Sequence, residues 1–354
     1  MRYGWEMPIS APLDLDTFLV TVYCVVDDLY RAHAAPHKPV RPGHRPELAD
    51  SEVLTLLVLA QWQQGRSERA FLRYACGHWH SYFPRLLSQS AFNRRARDLL
   101  GVVCLLGPLV SQGVRQELGI TATYEVVDGV AVPLMRRCRG EQHRLFGLEA
   151  GIGRGGSDRE WYYGVHLLGA INSAGLITGF VVGPAPTAEH WLAEALFRWR
   201  EHPRAPAPTL AELEPVLERS HAGGRVGPTG PIAPRLGVGW PSASPWIGDR
   251  GFRGDAWRHH WRAHYGVSLL TRTDYELCVP AEQQRWDRWL SGRRQIVETV
   301  FQWLEAVFGL RFPRARTYWG LLTRLAAKVA AFDLAVYINH RFSRPPYAFF
   351  NPLG

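Results

Sequence analysis

Apolar residues recur along this chain with two periods, and the change of period divides it. From about Asp14 to Arg31, Leu15, Phe18, Leu19, Val22, Tyr23 and Val26 fall at three- and four-residue steps, which predicts an amphipathic first helix. A Pro- and His-rich connector runs from His33 to Pro46. Asp50 or Ser51 is placed to cap a second helix, apolar nearly all round through Val53, Leu54, Leu56, Leu57, Leu59 and Ala60 and therefore buried. Ser67 to Cys76 reads as a short third helix. After Pro84, Ser88 or Ser90 caps a fourth, with Phe92, Ala96, Leu99 and Leu100 inward and Asn93, Arg94, Arg95 and Arg97 on its polar side.

Near Thr121 the pattern becomes β-like. Tyr124 to Leu134 reads as a strand with Asp128 in its middle; Glu125, an odd offset away, points to the opposite face. A basic connector follows, with Arg136, Arg137, Arg139, Arg144, Arg154 and Arg159, and its glycines predict a mobile loop. Trp161–Ile171 and Leu176–Val182 read as two strands joined at Asn172-Ser173-Ala174-Gly175. Thr187 is placed to cap a helix to about Arg200. From His202 to Pro245 prolines and glycines punctuate an irregular insertion, with a short helical piece around Leu210–Leu213. Pro245–Asp249 starts another strand, Asp255–Tyr265 a helix, Val267–Thr271 a strand. Glu282–Phe308 reads as a helix broken near Gly292, and Tyr318–Arg341 as a final helix. This order predicts an α/β sheet covered by helices, preceded by an all-helical region.

The 354 residues suffice for one large domain or two ordinary ones, and 46% apolar residues support a sizeable core. The formal charge of +9 suggests a polyanionic partner, nucleic acid or an acidic membrane. Lys38 and Lys328 are the only lysines, so the positive charge is nearly all arginine, which suits bidentate phosphate and guanine contacts; genomic base composition produces the same bias. Cys24, Cys76, Cys104, Cys138 and Cys278 form no CxxC pair, which excludes a zinc-finger pattern and fits a reduced, cytoplasmic compartment. No uncharged apolar run reaches the ~18 residues of a membrane span, which argues against the membrane partner.

Three acidic residues stand out by context. Asp128 lies in Tyr124-Glu125-Val126-Val127-Asp128-Gly129, and Asp249 in Trp246-Ile247-Gly248-Asp249-Arg250-Gly251-Phe252. Glu298 lies off the apolar stripe of Ile296, Val300, Trp303, Leu304 and Val307, one turn after Arg294, so that both point the same way. Each has an ordinary alternative: Asp128-Gly129 as a turn, Asp249 at a plain strand end, Glu298 and Arg294 as a solvated pair.

At these residues the chain resembles the DDE transposases of bacterial insertion sequences. The Val-Val-Asp-Gly run, the Ile-Gly-Asp-Arg-Gly-Phe run and the Arg-Arg-Gln-Ile-Val-Glu-Thr-Val-Phe helix carry the likeness, which extends loosely from about Asp50 to about Phe342. The chain departs from that pattern at Glu305, where relatives often carry a basic residue, and at Ser291, where many carry Tyr. The resemblance implies an RNase H-like mixed sheet flanked by helices over residues 121–342, interrupted at about 202–245. It implies a helical, DNA-binding region over 1–120 and leaves 343–354 as a tail. It makes Asp128, Asp249 and Glu298 ligands of two Mg²⁺ or Mn²⁺ ions that cut the element's ends and join them to target DNA. Arg294 and Arg293 would then hold DNA phosphates beside Glu298, and Arg94, Arg95 and Arg97 would face duplex DNA, as basic side chains of a groove-reading helix do. Double-stranded DNA, at transposon ends and target, is the implied partner, bound by a homodimer associated with the nucleoid. Two alternatives stay open: a hydrolysis-only nuclease of the same fold, and a decayed or domesticated transposase that binds DNA without cutting it.

Overall fold

The computed structural model describes residues 13–38, 46–63, 67–142, 145–155, 160–203, 205–206, 209–220, 236–239, 245–252, 254–271 and 280–349. Arg144, Gly156, Arg159, Trp240 and Cys278, much of the Pro/Gly-rich insertion and the last five residues of the tail lie outside them.

Five helices come first: α1 (Leu15–His33), α2 (Asp50–Leu59), α3 (Glu68–His78), α4 (Gln89–Asp98) and α5 (Leu100–Leu118). Side chains cap three of them: Asp14 accepts from Thr17 N at 2.8 Å, Ser67 caps α3, and Ser88, one of the two expected serines, caps α4. The cap of α2 is Ala49, one residue before the expected Asp50, because the Asp50 carboxylate is used elsewhere. Helix α5, which meets α4 at a 66° bend, has no counterpart in the sequence reading. It is apolar on most sides and carries Pro108, so it lacks both the stripe and the uninterrupted composition that mark a helix.

The sheet is mixed. Strand β1 (Glu125–Arg136) lies in its interior. On one side come β3 (Glu160–Asn172), β4 (Ile177–Pro184) and β5 (Leu236–Gly239), each antiparallel to its neighbour; on the other, β6 (Trp246–Ile247) and β7 (Leu269–Leu270) run parallel to β1. The β3–β4 hairpin turns where the sequence predicts, with Asn172 Oδ1 accepting from Ala174 N and Leu176 N at 3.0 Å each. The connector expected to be a mobile loop instead forms α6 (Arg137–Gln142) and β2 (Gly151–Gly155), which pairs with β3. Its glycines mark close packing: a Cβ at Gly153 would lie 2.7 Å from that of Ala185.

Alternation along β1 sends Val126 and Val132 to one face and Val127 to the other. Helices α7 (Glu189–Glu201), α8 (Leu210–Ser220) and α9 (Asp255–Tyr265) pack on the Val127 face. Thus the described part of the insertion holds a full helix, longer than the piece expected, and an edge strand. The Val126 face is covered by α10 (Pro280–Ala306) and α11 (Tyr318–Arg341). Helix α10 passes through Gly292 without the expected break, since that position is exposed and meets nothing within 4 Å. Helix α11 has the predicted bounds and is buried along nearly its whole length between the sheet and α5. The first helices join that core without a seam: Phe18, Leu54, Phe71 and Phe92 belong to the same cluster as Val126 and Leu325. No single helix among the described residues is long and apolar enough to cross a membrane.

Candidate active site

Parallel pairing of β1 with β6 sets Val126 beside Ile247. Two residues on in each segment stand Asp128, still in β1, and Asp249, just past the end of β6. Ligand sites in such sheets lie at the carboxyl ends of parallel strands, where the following connections diverge. Asp128 is half-buried: its Oδ1 accepts the Gly129 N–H at 2.9 Å and its Oδ2 accepts from Arg294 Nη2 at 3.0 Å. Asp249 Oδ1 accepts the Gly251 N–H at 2.6 Å.

Arg294 reaches Asp128 because Val297, Val300, Phe301 and Leu304 bury one face of α10 against the sheet. Glu298 follows one turn later but is exposed, and no hydrogen bond or ion pair among the described residues engages it. The structure therefore brings Asp128, Asp249 and Arg294 together and leaves Glu298 at the edge.

A carboxylate that the sequence reading missed completes the cluster. Glu189, the first residue of α7, comes in from the opposite face. A Cβ at Gly129 would lie 2.8 Å from Glu189 Oε1 and 2.3 Å from His166 Nε2, and one at Gly251 would lie 2.7 Å from Glu189 Oε2 and 2.7 Å from Asp249 Oδ1. Gly129, directly after Asp128, leaves room for the His166 ring and Glu189, and Gly251, two residues after Asp249, lies against the Asp249 and Glu189 carboxylates. Burial, then the charges of Asp249 and Asp128, push the Glu189 carboxyl up to about 8, against the pull of Arg294. Burial also raises Asp128; Arg294 opposes that shift and Asp249 adds to it. Burial pushes His166 down to about 4, and its Nε2 lies 3.7 Å from Glu189 Oε1. The signal for Glu189 in the sequence was its place: an acid in the first turn of the helix that follows the β3–β4 hairpin.

The other expected residues are scattered. Arg293 lies over the Trp289 ring at 4.3 Å and Tyr124 at 5.8 Å, and Trp289 stacks on Trp286 with centroids 5.2 Å apart. Arg94 is exposed and Arg97 half-buried. Arg95 is spent on structure, donating to the Leu48 carbonyl and to Asp50, which also accepts from Tyr30 at 2.7 Å. Burial raises the Asp50 carboxyl, but hydrogen bonds from Lys38, Tyr30 and Arg95 outweigh it and hold the group below its ordinary value. His260, Trp261 and Tyr265 all converge on buried Glu194, which explains that histidine without a metal.

The donor set around Asp128 is all oxygen and suits a hard cation, which needs one or two carboxylates plus substrate oxygens and water. Among the described residues no group of three or more His, Cys, Asp and Glu side chains is arranged to hold a metal ion. Comparison with protein-family models, with curated proteins and with solved structures found no match to this chain.

Proposed function

We propose that this chain is a DNA transposase of the insertion-sequence type, with an RNase H-like catalytic fold, acting as a homodimer on paired DNA ends. One observation carries the reading: Asp128 on β1 and Asp249 just beyond the end of β6, remote in sequence, come close enough to interact, with Arg294 of α10 paired to Asp128. A central strand with an antiparallel hairpin on one side and parallel strands on the other accords with the fold the resemblance implies.

In this reading Asp128 and Asp249 hold Mg²⁺ or Mn²⁺, with Glu298 or Glu189 as the third carboxylate. Bound cations would make the attacking oxygen nucleophilic and stabilise the leaving 3′ oxygen. In cleavage a water oxygen bonds to phosphorus, the P–O3′ bond breaks and the 3′ oxygen takes up a proton. In strand transfer that 3′-hydroxyl attacks a target phosphodiester, whose own P–O3′ bond breaks. Arg294, now on Asp128, is placed to turn to a DNA phosphate. A catalytically silent DNA-binding protein is the second reading, favoured by the isolation of Glu298.

Strand cleavage of the DNA flanking the gene, with Mg²⁺, tests this. Metal-dependent nicks at defined ends are expected, lost in Asp249→Ala while DNA binding persists. Normal cutting by folded Asp249→Ala would overturn the assignment. Glu298→Gln and Glu189→Gln, run in parallel, identify the third carboxylate by which one stops cutting. Binding without cutting by the wild type supports the silent reading.

A further inference from the structure

The loop between α10 and α11 is held in an unusual way. Besides Gly309, it carries two non-glycine residues in the left-handed region, Phe312 and Arg314, both at φ 55°. Side chains rarely adopt that conformation, and it persists only where surrounding contacts impose it. Those contacts are present. Phe312 N donates to the Pro133 carbonyl of β1 at 2.9 Å. The Arg324 guanidinium donates to the carbonyls of Pro313, at 2.8 Å, and Arg314, and is itself anchored by Glu68 at 2.8 Å. The product of this bracing is three exposed guanidinium groups, Arg311, Arg314 and Arg316, that no hydrogen bond or ion pair among the described residues engages, beside a Phe312 ring 47% exposed.

Two more segments add to the same end of the molecule. Three residues beyond Pro133, β1 ends at exposed Arg136, which pairs in register with Tyr162 of β3. Its neighbour Trp161 is 53% exposed, with the guanidiniums of Arg137 and Arg154 at 5.2 and 5.9 Å from its ring. Glu141 pairs with Arg137 at 2.7 Å.

We propose that this far end of β1 is a seat for the phosphodiester backbone of duplex DNA, separate from the carboxylate cluster. The proposal rests on the reading of the chain as a DNA-cutting enzyme. Three arginines carried on a fixed backbone match a repeating, rigid polyanion, and the planar fork of each guanidinium suits a phosphate. At ~3.3 Å per strand residue, Pro133 and Arg136 lie about 17 to 26 Å beyond Asp128. A duplex rising 3.4 Å per base pair covers that span in about 5 to 8 base pairs. DNA engaged at the carboxylates and following β1 would thus meet the seat roughly half a helical turn or more away.

The test is the salt dependence of full-chain binding to a labelled duplex of about 30 base pairs and arbitrary sequence, read by fluorescence anisotropy. With three phosphate contacts gone, the R311A/R314A/R316A protein is expected to show a log K against log[salt] slope shallower by about 2 to 3. R314G is the control for folding: it relieves the left-handed backbone, so its melting temperature is expected to hold or rise while affinity falls. R136A is expected to weaken binding in the same direction. Wild-type slope and affinity in the triple variant would overturn the seat. A wild type that binds through these arginines but cuts nothing would remove the transposase reading alone. A wild type that does not bind the duplex would remove both.

Discussion

Strand β1 carries two carboxylate–guanidinium pairs, three residues apart and on opposite faces. Glu125 meets Arg200 at 2.6 Å, with side chains 5% and 3% exposed. That guanidinium also donates to Thr178 Oγ1 at 2.6 Å and lies 4.5 Å from the Trp246 ring. Asp128 meets Arg294 at 3.0 Å, but the side chains are 15% and 22% exposed and two further carboxyl groups crowd the site. The same chemistry is closed in one place and left open in the other. A pair sealed from water on both sides serves the fold; one that keeps part of each side chain open, beside two more carboxyl groups, has capacity to spare for something outside the chain.

The contrast predicts effects of very different size. Removing one partner of the closed pair strands a buried charge: Arg200→Ala is expected to lower unfolding free energy by about 3–5 kcal/mol in denaturant titration. A loss below about 1 kcal/mol would mean that Glu125 reaches water or is neutral. Lys328 sharpens the contrast: among the described residues its buried ammonium meets no acid, only the Gln61 side-chain oxygen at 3.0 Å and the Phe308 carbonyl at 2.6 Å. Burial, then Arg324, pull its ammonium down to about 7. An amine with a lowered folded pKa adds stability that is complete above its unfolded value near 10.5 and is lost as pH falls through about 7. Melting temperature is therefore expected to rise between pH 7 and pH 10 by more in the wild type than in Lys328→Met; parallel curves would sink this. The smallest effect belongs to Glu298→Ala, expected within about 0.5 kcal/mol of the wild type because the side chain is exposed and unpaired. A larger loss would reveal a structural bond.

What the sequence disclosed follows the same physics. Helix α11, helix α9 and the β3–β4 hairpin were legible because each has a local mark: a cap, a period or an Asn–Gly turn. Asp128 and Asp249 were legible because each sits on or beside an apolar β run. Their alignment was not, since it comes from parallel pairing across more than a hundred residues. Glu189 escaped because a helix-starting acid is commonplace until tertiary packing buries it. Arg95 misled in the other direction: on a helical wheel it faces solvent, and only the folded chain brings Asp50 against it. The glycines of β2 suggested mobility because sequence shows absent side chains but not the neighbours that require their absence.

The unbroken core beneath the first five helices has a geometric consequence. Helix α4, with Arg94 on its outer side, packs on α2, α5 and α11, and α5 and α11 pack in turn on the sheet that carries Asp128. Their separation is a fixed length set by interlocked side chains, not by a tether. In the transposase reading, a duplex held at Arg94 would meet Asp128 at a constant offset, as between the jaws of a caliper.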